Sequence, residues 1–296
     1  MTVVQCTGLK KSYGAQTVLD DLSFSLKEGS VIFLLGLNGA GKTTLLKLIA
    51  GLLYSDAGEI AYKVKKLGSL IDSPKFYGNL SAYDNLRYYA MVQGINPGNL
   101  VKALKAVRLD PNNPKAVKGF SLGMKQRLGI AMALLGDYNL VVLDEPFTGL
   151  DPAGMEEIRE LIRNINRNTN KTFLISSHLL AEAEGVATDY AILHGGKIVT
   201  EFSHANIESV CRRIRATATR DSLNKCLALL AQYGDRLFWR ERGSDLWIFL
   251  QEATREELES LLALLAGDGP AQVEQCTLKE YFLALTERGS QHAFCS

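Results

Sequence analysis

The sequence predicts an α/β fold with a mostly parallel central sheet, and two kinds of segment support this. Val31–Leu35, Leu140–Leu143 and Thr172–Ile175 are short, continuous apolar runs, which are typical of strands buried on both faces. Thr43–Ala50 follows the first run and Ala153–Ile165 follows the second, and both have helical spacing. Strands that alternate with helices favour a parallel sheet with helices on its faces.

Other patterns flank and interrupt this predicted core. Residues 1–25 alternate apolar and polar side chains, which predicts antiparallel strands with one buried face. Between about residues 72 and 127, helical pieces around Ala82–Gln93 and Leu100–Leu109 are separated by Gly and Pro. We therefore predict a mainly helical insertion into the α/β core.

The first domain is predicted to cover residues 1–203. It ends on a hairpin, because Tyr190–Leu193 and Lys197–Phe202 flank a Gly-Gly turn. The remaining residues, 204–296, predict a small α+β domain with a β-α-β-β-α-β order. Its expected helices are Ser222–Tyr233, Glu256–Leu265 and Leu278–Thr286, and its expected strands are Arg236–Phe238, Trp247–Leu250 and Gln272–Glu274.

The composition excludes several classes of protein. Of 296 residues, 47% are hydrophobic, and the net charge is +1, so no strong basic field favours nucleic acid. No apolar run reaches the roughly 18–20 residues of a membrane span, and the first residues lack a signal-peptide pattern. The five cysteines form no CxxC pair, so we expect free thiols in a cytosolic chain rather than zinc ligands or disulfides.

A phosphate-binding loop is predicted between the first buried strand and its helix. The segment fits GxxxxGK[ST], and its strand-to-helix context is what that motif requires. Glycines let backbone N–H groups turn inward around an anion, and the helix directs its positive end to the same point. Lys42 is expected on the β- and γ-phosphates of ATP, Thr43 on Mg²⁺ and Thr44 on another phosphate. The loop consists of Gly36, Leu37, Asn38, Gly39, Ala40, Gly41, Lys42 and Thr43.

Two acids follow the second buried strand, where ligands bind in sheets of this kind. Asp144 and Glu145 should have separate tasks, because adjacent side chains on a strand point in opposite directions. Asp144 is the better Mg²⁺ partner, usually through water. Glu145 is the better candidate to orient or deprotonate an attacking water.

The segment Phe120–Arg127 resembles a motif of a known family. It resembles the signature motif of ABC ATPases, usually written LSGGQ: Ser121 and Gly123 agree with it, while Leu122 and Met124 replace Gly and Gln. Ser121 is also a good N-cap, and a helix that begins there presents its positive end to an anion. The resemblance implies that Ser121 and Gly123 close over the γ-phosphate held by a partner subunit.

Three further features resemble the same family. Thr148–Asp151 is similar to the D-loop, which crosses the dimer interface. His178, after the third buried strand, resembles the switch histidine, which contacts the γ-phosphate and the attacking water. Tyr13 matches the aromatic residue that stacks on adenine. The resemblance thus implies Glu145, His178 and Lys42 as the catalytic residues.

Asp72 departs from the usual pattern. ABC ATPases usually carry Gln at the start of the helical insertion, and the segment Leu67–Pro74 aligns Asp72 with it. An acid there, together with Ser73–Leu80 and Gly123–Leu128, resembles the subfamily of bacterial bacitracin and lantibiotic resistance or immunity exporters, which typically carry Glu. The resemblance leaves two roles open for Asp72, a contact with Mg²⁺ or a contact only with the coupling helix of the membrane partner.

The resemblance covers residues 1–203 strongly and implies an ATP-binding and hydrolysing subunit at the cytoplasmic face of the membrane. Its expected partners are a separate transmembrane permease and a second ATPase subunit, in a homodimer or a heterodimer, and no nucleic acid. The expected cargo is a peptide antibiotic, drug or lipid-like compound. Two alternatives stand beside this: a soluble ABC ATPase that acts on ribosomes or nucleic acid, and a weakly hydrolysing ATP-sensing subunit.

Overall fold

A computed structural model describes residues 1–64, 66–72, 75–136, 138–217, 219–242, 244–251, 253–266 and 269–286. Residues 73 and 74 of the exporter-like segment and residues 287–296 of the predicted second domain lie outside these ranges. The strands are β1 (Thr2–Tyr13), β2 (Gln16–Lys27), β3 (Val31–Leu35), β4 (Ala57–Tyr62), β5 (Leu67–Leu70), β6 (Leu140–Asp144), β7 (Thr172–Ser177), β8 (Asp189–His194), β9 (Lys197–Ser203), β10 (Arg212–Thr217), β11 (Leu237–Arg242), β12 (Asp245–Leu250) and β13 (Ala271–Gln275). The helices are α1 (Lys42–Ile49), α2 (Ala82–Gln93), α3 (Leu100–Ala106), α4 (Leu122–Leu134), α5 (Pro152–Thr169), α6 (Ile207–Val210), α7 (Arg220–Tyr233), α8 (Arg255–Leu265) and α9 (Leu278–Thr286).

The central sheet has the strand order β5-β6-β7-β3-β8-β9. The pairs β5/β6, β6/β7, β7/β3 and β3/β8 are all parallel. Every residue of β3 and β7 is buried, as expected for parallel strands covered on both faces. The predicted α/β fold with a mostly parallel core is therefore confirmed.

A second sheet, β2-β1-β4, is antiparallel and contributes Leu9, Leu22 and Phe24 to the same hydrophobic core. The sequence analysis assigned strands only to the N-terminal part of this sheet and did not assign β4 or β5. In β4, almost every side chain is exposed, so the strand lacks the alternation that marks a half-buried strand. Its hydrogen bonds to β1, rather than its own pattern, make it a strand.

The helical insertion contains α2, α3 and α4. Ser81 caps α2 by accepting a hydrogen bond from the backbone of Asp84, and Gly94 ends it with φ +62°. The predicted helix over Leu100–Leu109 was too long, because it ends at Ala106 and Arg108 adopts φ +56°. In the described part of the chain, no helix combines the length and apolarity that crossing a bilayer requires.

The chain divides into two compact units, Met1–Glu201 and Phe202–Ser296. The second unit has the antiparallel sheet order β11-β12-β10-β13, with α7 and α8 in the β-α-β-β-α-β order of a ferredoxin-like fold. Ile214, Leu246 and Leu261 belong to its hydrophobic core. The predicted strand Arg236–Phe238 was misplaced, because β11 runs from Leu237 to Arg242. A short 3₁₀ turn, Gly234–Arg236, precedes it.

Substitution of Gly68 tests how closely β5 packs against α4. A Cβ at this position would overlap the backbone carbonyl oxygen of Ala133, which cannot move without disturbing α4. We expect Gly68→Ala to lower the free energy of unfolding by about 1–3 kcal/mol in chemical denaturation. Gly78→Ala is the matched control, because its nearest neighbour would be the Lys118 Cβ at 3.5 Å. Equal stability of the two variants would contradict this packing.

Candidate active site

The loop between β3 and α1 has the backbone that the phosphate-loop motif predicts. Gly39 and Gly41 adopt φ +82° and +106°, which side chains with a Cβ rarely tolerate. Lys42 is only 6% exposed, and its Nζ donates to the backbone carbonyl of Gly36 at 2.8 Å. A buried ammonium group is thus fixed beside the turn at the N-terminus of α1, where backbone N–H groups and the helix dipole favour an anion.

Asp144 is held by hydroxyl groups from two neighbouring elements. Thr43 Oγ1 donates to Asp144 Oδ2 at 2.9 Å, and Ser176 Oγ donates to Asp144 Oδ1 at 2.5 Å. One carboxylate and one hydroxyl that share a position suit Mg²⁺, which usually takes one or two protein oxygens and completes its shell with phosphate and water. Within the described ranges, no cluster of three or more His, Cys, Asp or Glu side chains could bind a metal alone.

The contacts of Glu145 with His178 and Lys42 indicate a different role from that of Asp144. Its Oε2 lies 2.7 Å from His178 Nδ1, and its Oε1 lies 3.4 Å from Lys42 Nζ. Its backbone has φ +47°, a conformation that non-glycine residues seldom adopt, and its N–H donates to Ser176 Oγ at 2.8 Å. This turn separates the two acids, so Asp144 faces Thr43 while Glu145 faces Lys42 and His178.

A cavity of about 970 Å³ joins these groups. Most of the predicted site residues line it: Asn38, Gly39, Gly41, Lys42, Thr43, Thr44, Asp72, Asp144, Glu145 and His178. Six further residues line it: Thr148 and Gly149 belong to the D-loop-like segment, Leu122 and Gln126 belong to the signature-like segment, and the sequence analysis did not propose Gln16 and Val18. The positions of Gln16 and Val18 in the sequence could have suggested them, because both lie at the start of β2, the strand that follows Tyr13.

Among the described residues, several predicted site residues lie outside the lining of this cavity. Gly36, Leu37 and Ala40 belong to the phosphate loop but do not line the cavity, although the carbonyls of Gly36 and Leu37 accept from Lys42 Nζ. Tyr13 is 50% exposed at the end of β1, and Lys11 Nζ lies 5.9 Å from its ring centroid. Its contact with adenine remains a prediction.

The signature-like segment begins α4. Ser121 caps this helix by accepting from the Met124 N–H at 3.2 Å, as the sequence predicted. Ser121 is exposed, and neither it nor Gly123 lines the cavity formed by the same chain. Leu122 and Gln126 of the same helix do line it.

Asp72 lines the cavity and forms an ion pair with α1. Its Oδ2 lies 2.9 Å from Lys47 Nζ, and this hydrogen bond raises the pKa of Lys47 above its usual value. Asp72 also adopts φ +62°. Its position beside the cavity is consistent with both roles left open by the sequence.

Comparisons with known proteins agree with this geometry. The family described as ABC transporter matches residues 19–148. The chain is 38% identical over 216 residues to the lantibiotic transport ATP-binding protein SrtF of Streptococcus pyogenes, covering 70% of this chain and 94% of that protein. It is 39% identical over 246 residues to the bacitracin transport ATP-binding protein BcrA of Bacillus licheniformis, covering 79% of this chain and 80% of that one.

Solved structures show the same fold. An ATP-binding subunit of an ABC transporter matches with a TM-score of 0.60 and 30% identity, over 70% of this chain and 92% of that one. A dimeric ATP-binding cassette bound to ADP and Pi matches with a TM-score of 0.60 and 21% identity, over 68% of this chain and 98% of that one. The chain therefore belongs to the ATP-binding proteins of ABC transporters. It is an ATPase, and the expected family resemblance is confirmed.

Lys42 provides a test of nucleotide binding. Lys42→Ala removes the buried cation next to the phosphate loop, and one charge-assisted hydrogen bond contributes about 1.5–3 kcal/mol. We expect at least about tenfold weaker binding of a fluorescent ATP analogue in a fluorescence titration. Lys63→Ala, at an exposed lysine just after β4 and outside the cavity lining, is the control and should bind nearly as the parent chain does.

Proposed function

We propose that this chain hydrolyses Mg-ATP to drive a transmembrane permease that exports a peptide antibiotic. The contact between Glu145 and His178 next to Lys42 carries the catalytic part of this proposal, because it joins a base, its orienting partner and a phosphate-binding cation. The cargo class is supported by two relatives, which are lantibiotic and bacitracin transport ATP-binding proteins. An acid at position 72 supports the same subfamily.

Each site residue has a distinct task in this proposal. Glu145 takes a proton from the attacking water or orients it. His178 holds the Glu145 carboxylate through Nδ1, which fixes the direction of both side chains. Thr43 and Asp144 would bind Mg²⁺, which offsets charge on the β- and γ-phosphates when it is present. Lys42 stabilises the negative charge that develops during phosphoryl transfer.

The complete site is proposed to need a second ATPase subunit. Ser121 and Gly123 lie outside the cavity lining of their own chain but begin a well-capped helix. In a head-to-tail pair, this helix end would close over the γ-phosphate bound by the partner, and Tyr13 would stack on the adenine of its own chain's ATP. Closure with ATP and opening after hydrolysis would then move the permease between two states at the cytoplasmic face of the membrane.

The first test uses Glu145→Gln, which keeps the shape of the side chain but removes the base. We expect ATP binding to remain, turnover to be lost and the ATP-bound dimer to accumulate, because hydrolysis no longer reopens it. Size-exclusion chromatography with saturating Mg-ATP measures the dimer. Glu59→Gln, on exposed β4, is the control. A Glu145→Gln chain that stays monomeric under these conditions would contradict the dimer mechanism.

Asp72 tests the coupling to the permease. We expect Asp72→Ala to reduce peptide-antibiotic resistance of cells more than it reduces ATP binding, because binding depends on Lys42 and Thr43. Lys47→Ala is the matched variant, since it removes the ion pair but keeps the carboxylate. Unchanged resistance of the Asp72→Ala strain would remove Asp72 from coupling. Equal effects of the two variants would assign the role to the ion pair.

A further inference from the structure

A buried carboxyl group lies behind the turn that carries His178. Glu182 is 1% exposed and Ser177 is 0% exposed, and the Ser177 hydroxyl forms a hydrogen bond with Glu182 Oε2. Glu182 belongs to a 3₁₀ turn, Leu180–Glu182, and only Leu179 lies between this turn and His178. The sequence analysis did not propose Glu182, because its burial depends on this turn.

Ser177, which precedes His178, forms hydrogen bonds with Glu182 and with Leu179, which follows His178. The Ser177 Oγ accepts from the Leu179 N–H at 2.9 Å and lies 2.8 Å from the Leu179 carbonyl oxygen. The Ser177 side chain therefore fixes the backbone of Leu179 relative to Ser177, and these are the two residues that flank His178. The His178 ring in turn reaches Glu145 Oε2 at 2.7 Å. A continuous set of contacts runs from Glu182 through Ser177 and the turn to Glu145.

The hydrogen count at Ser177 indicates a neutral Glu182. A hydroxyl has one hydrogen, but Ser177 Oγ faces two acceptors, the Leu179 carbonyl and Glu182 Oε2. A protonated Glu182 satisfies both contacts, because its own hydrogen then goes to Ser177. Glu182 Oε1 is buried without a hydrogen-bond partner in the described part of the chain, which disfavours a charged carboxylate there.

The surrounding charges agree with this assignment. Burial raises the pKa of the Glu182 carboxyl above its usual value, and the nearby charge of Glu145 raises it too. The hydrogen bond with Ser177 and the interactions with His178 and Arg159 lower this pKa, but the net direction is upward. These are the groups that face Glu182, so its environment is coupled to the Glu145 and His178 pair.

We propose that Glu182 is a positioning residue for ATP hydrolysis, which acts through Ser177 to hold the His178 ring on Glu145. It does not touch the reacting atoms. Its neutral carboxyl braces the turn without placing another negative charge behind the γ-phosphate position. This inference rests on the proposed role of His178 and adds the group that sets the orientation of that residue.

The test is steady-state ATPase kinetics on the full chain with four single variants. Glu182→Ala should lower kcat about 10- to 100-fold, because loss of orientation at a reacting centre has effects of this size. The KM for ATP should change by less than about twofold, since the phosphate loop is untouched. Glu182→Gln should restore most of kcat, because its amide can donate to Ser177 as a neutral carboxyl does. Ser177→Ala should reproduce the loss, and exposed Glu184→Ala is the control.

A double variant separates positioning from general damage to the fold. If Glu182 acts through His178, adding Glu182→Ala to His178→Ala should lower kcat by less than about twofold further. Multiplicative losses, or an equal loss in Glu182→Ala and Glu182→Gln, would overturn the inference.

Normal kcat in Glu182→Ala and Ser177→Ala would also overturn the inference while leaving the proposed function intact. Normal kcat in His178→Ala would instead overturn the proposed role of His178, and the inference with it. If Glu182→Ala fails to fold, Ser177→Ala decides.

Discussion

The parallel alignment of β6, β7 and β3 is the constraint on which the site depends. The register pairs Leu35 with Ser177 and Asp144 with Ser176. The carboxyl ends of three strands therefore meet at one edge of the sheet, which is where ligands bind in α/β proteins. Residues distant in sequence, such as Thr43 and Asp144, come into hydrogen-bond contact there. The full burial of β3 and β7 makes this register costly to shift.

The backbone at this edge of the sheet is strained at two site residues. Glu145 and Asp72 both adopt positive φ, which costs about 1–3 kcal/mol for a non-glycine residue. At Glu145, the hydrogen bond from its N–H to Ser176 Oγ offsets part of this cost. The same serine hydroxyl donates to Asp144, so one side chain fixes two acids in different directions. Simple alternation along an extended strand predicted that separation, but the structure achieves it with a turn.

The sequence was enough to propose those site residues whose role follows from the residues next to them in the chain. The phosphate loop, Asp144 and Glu145 each lie at the end of a buried strand, so a strand pattern and a reactive residue type were enough to propose them. His178 also follows a buried strand, but its role was proposed from the resemblance to ABC ATPases. Glu182 could not be predicted in this way, because a glutamate two residues before another acid normally indicates a solvated surface. Strand β4 was missed for a related reason, since its side chains are mostly exposed and its identity comes from pairing with β1.

The balance of charge explains why these contacts occur together. Asp72, Asp144 and Glu145 line the cavity where a triphosphate is proposed to bind, and Glu182 lies in the turn after His178, so ionised carboxylates at all four positions would repel it. The structure limits this repulsion by three separate means. Lysines pair with Glu145 and Asp72, two hydroxyl groups donate to Asp144, and burial favours the neutral form of Glu182. A neutral Glu182 keeps the bracing contact with Ser177 while adding no charge, which a second ionised acid behind His178 could not do.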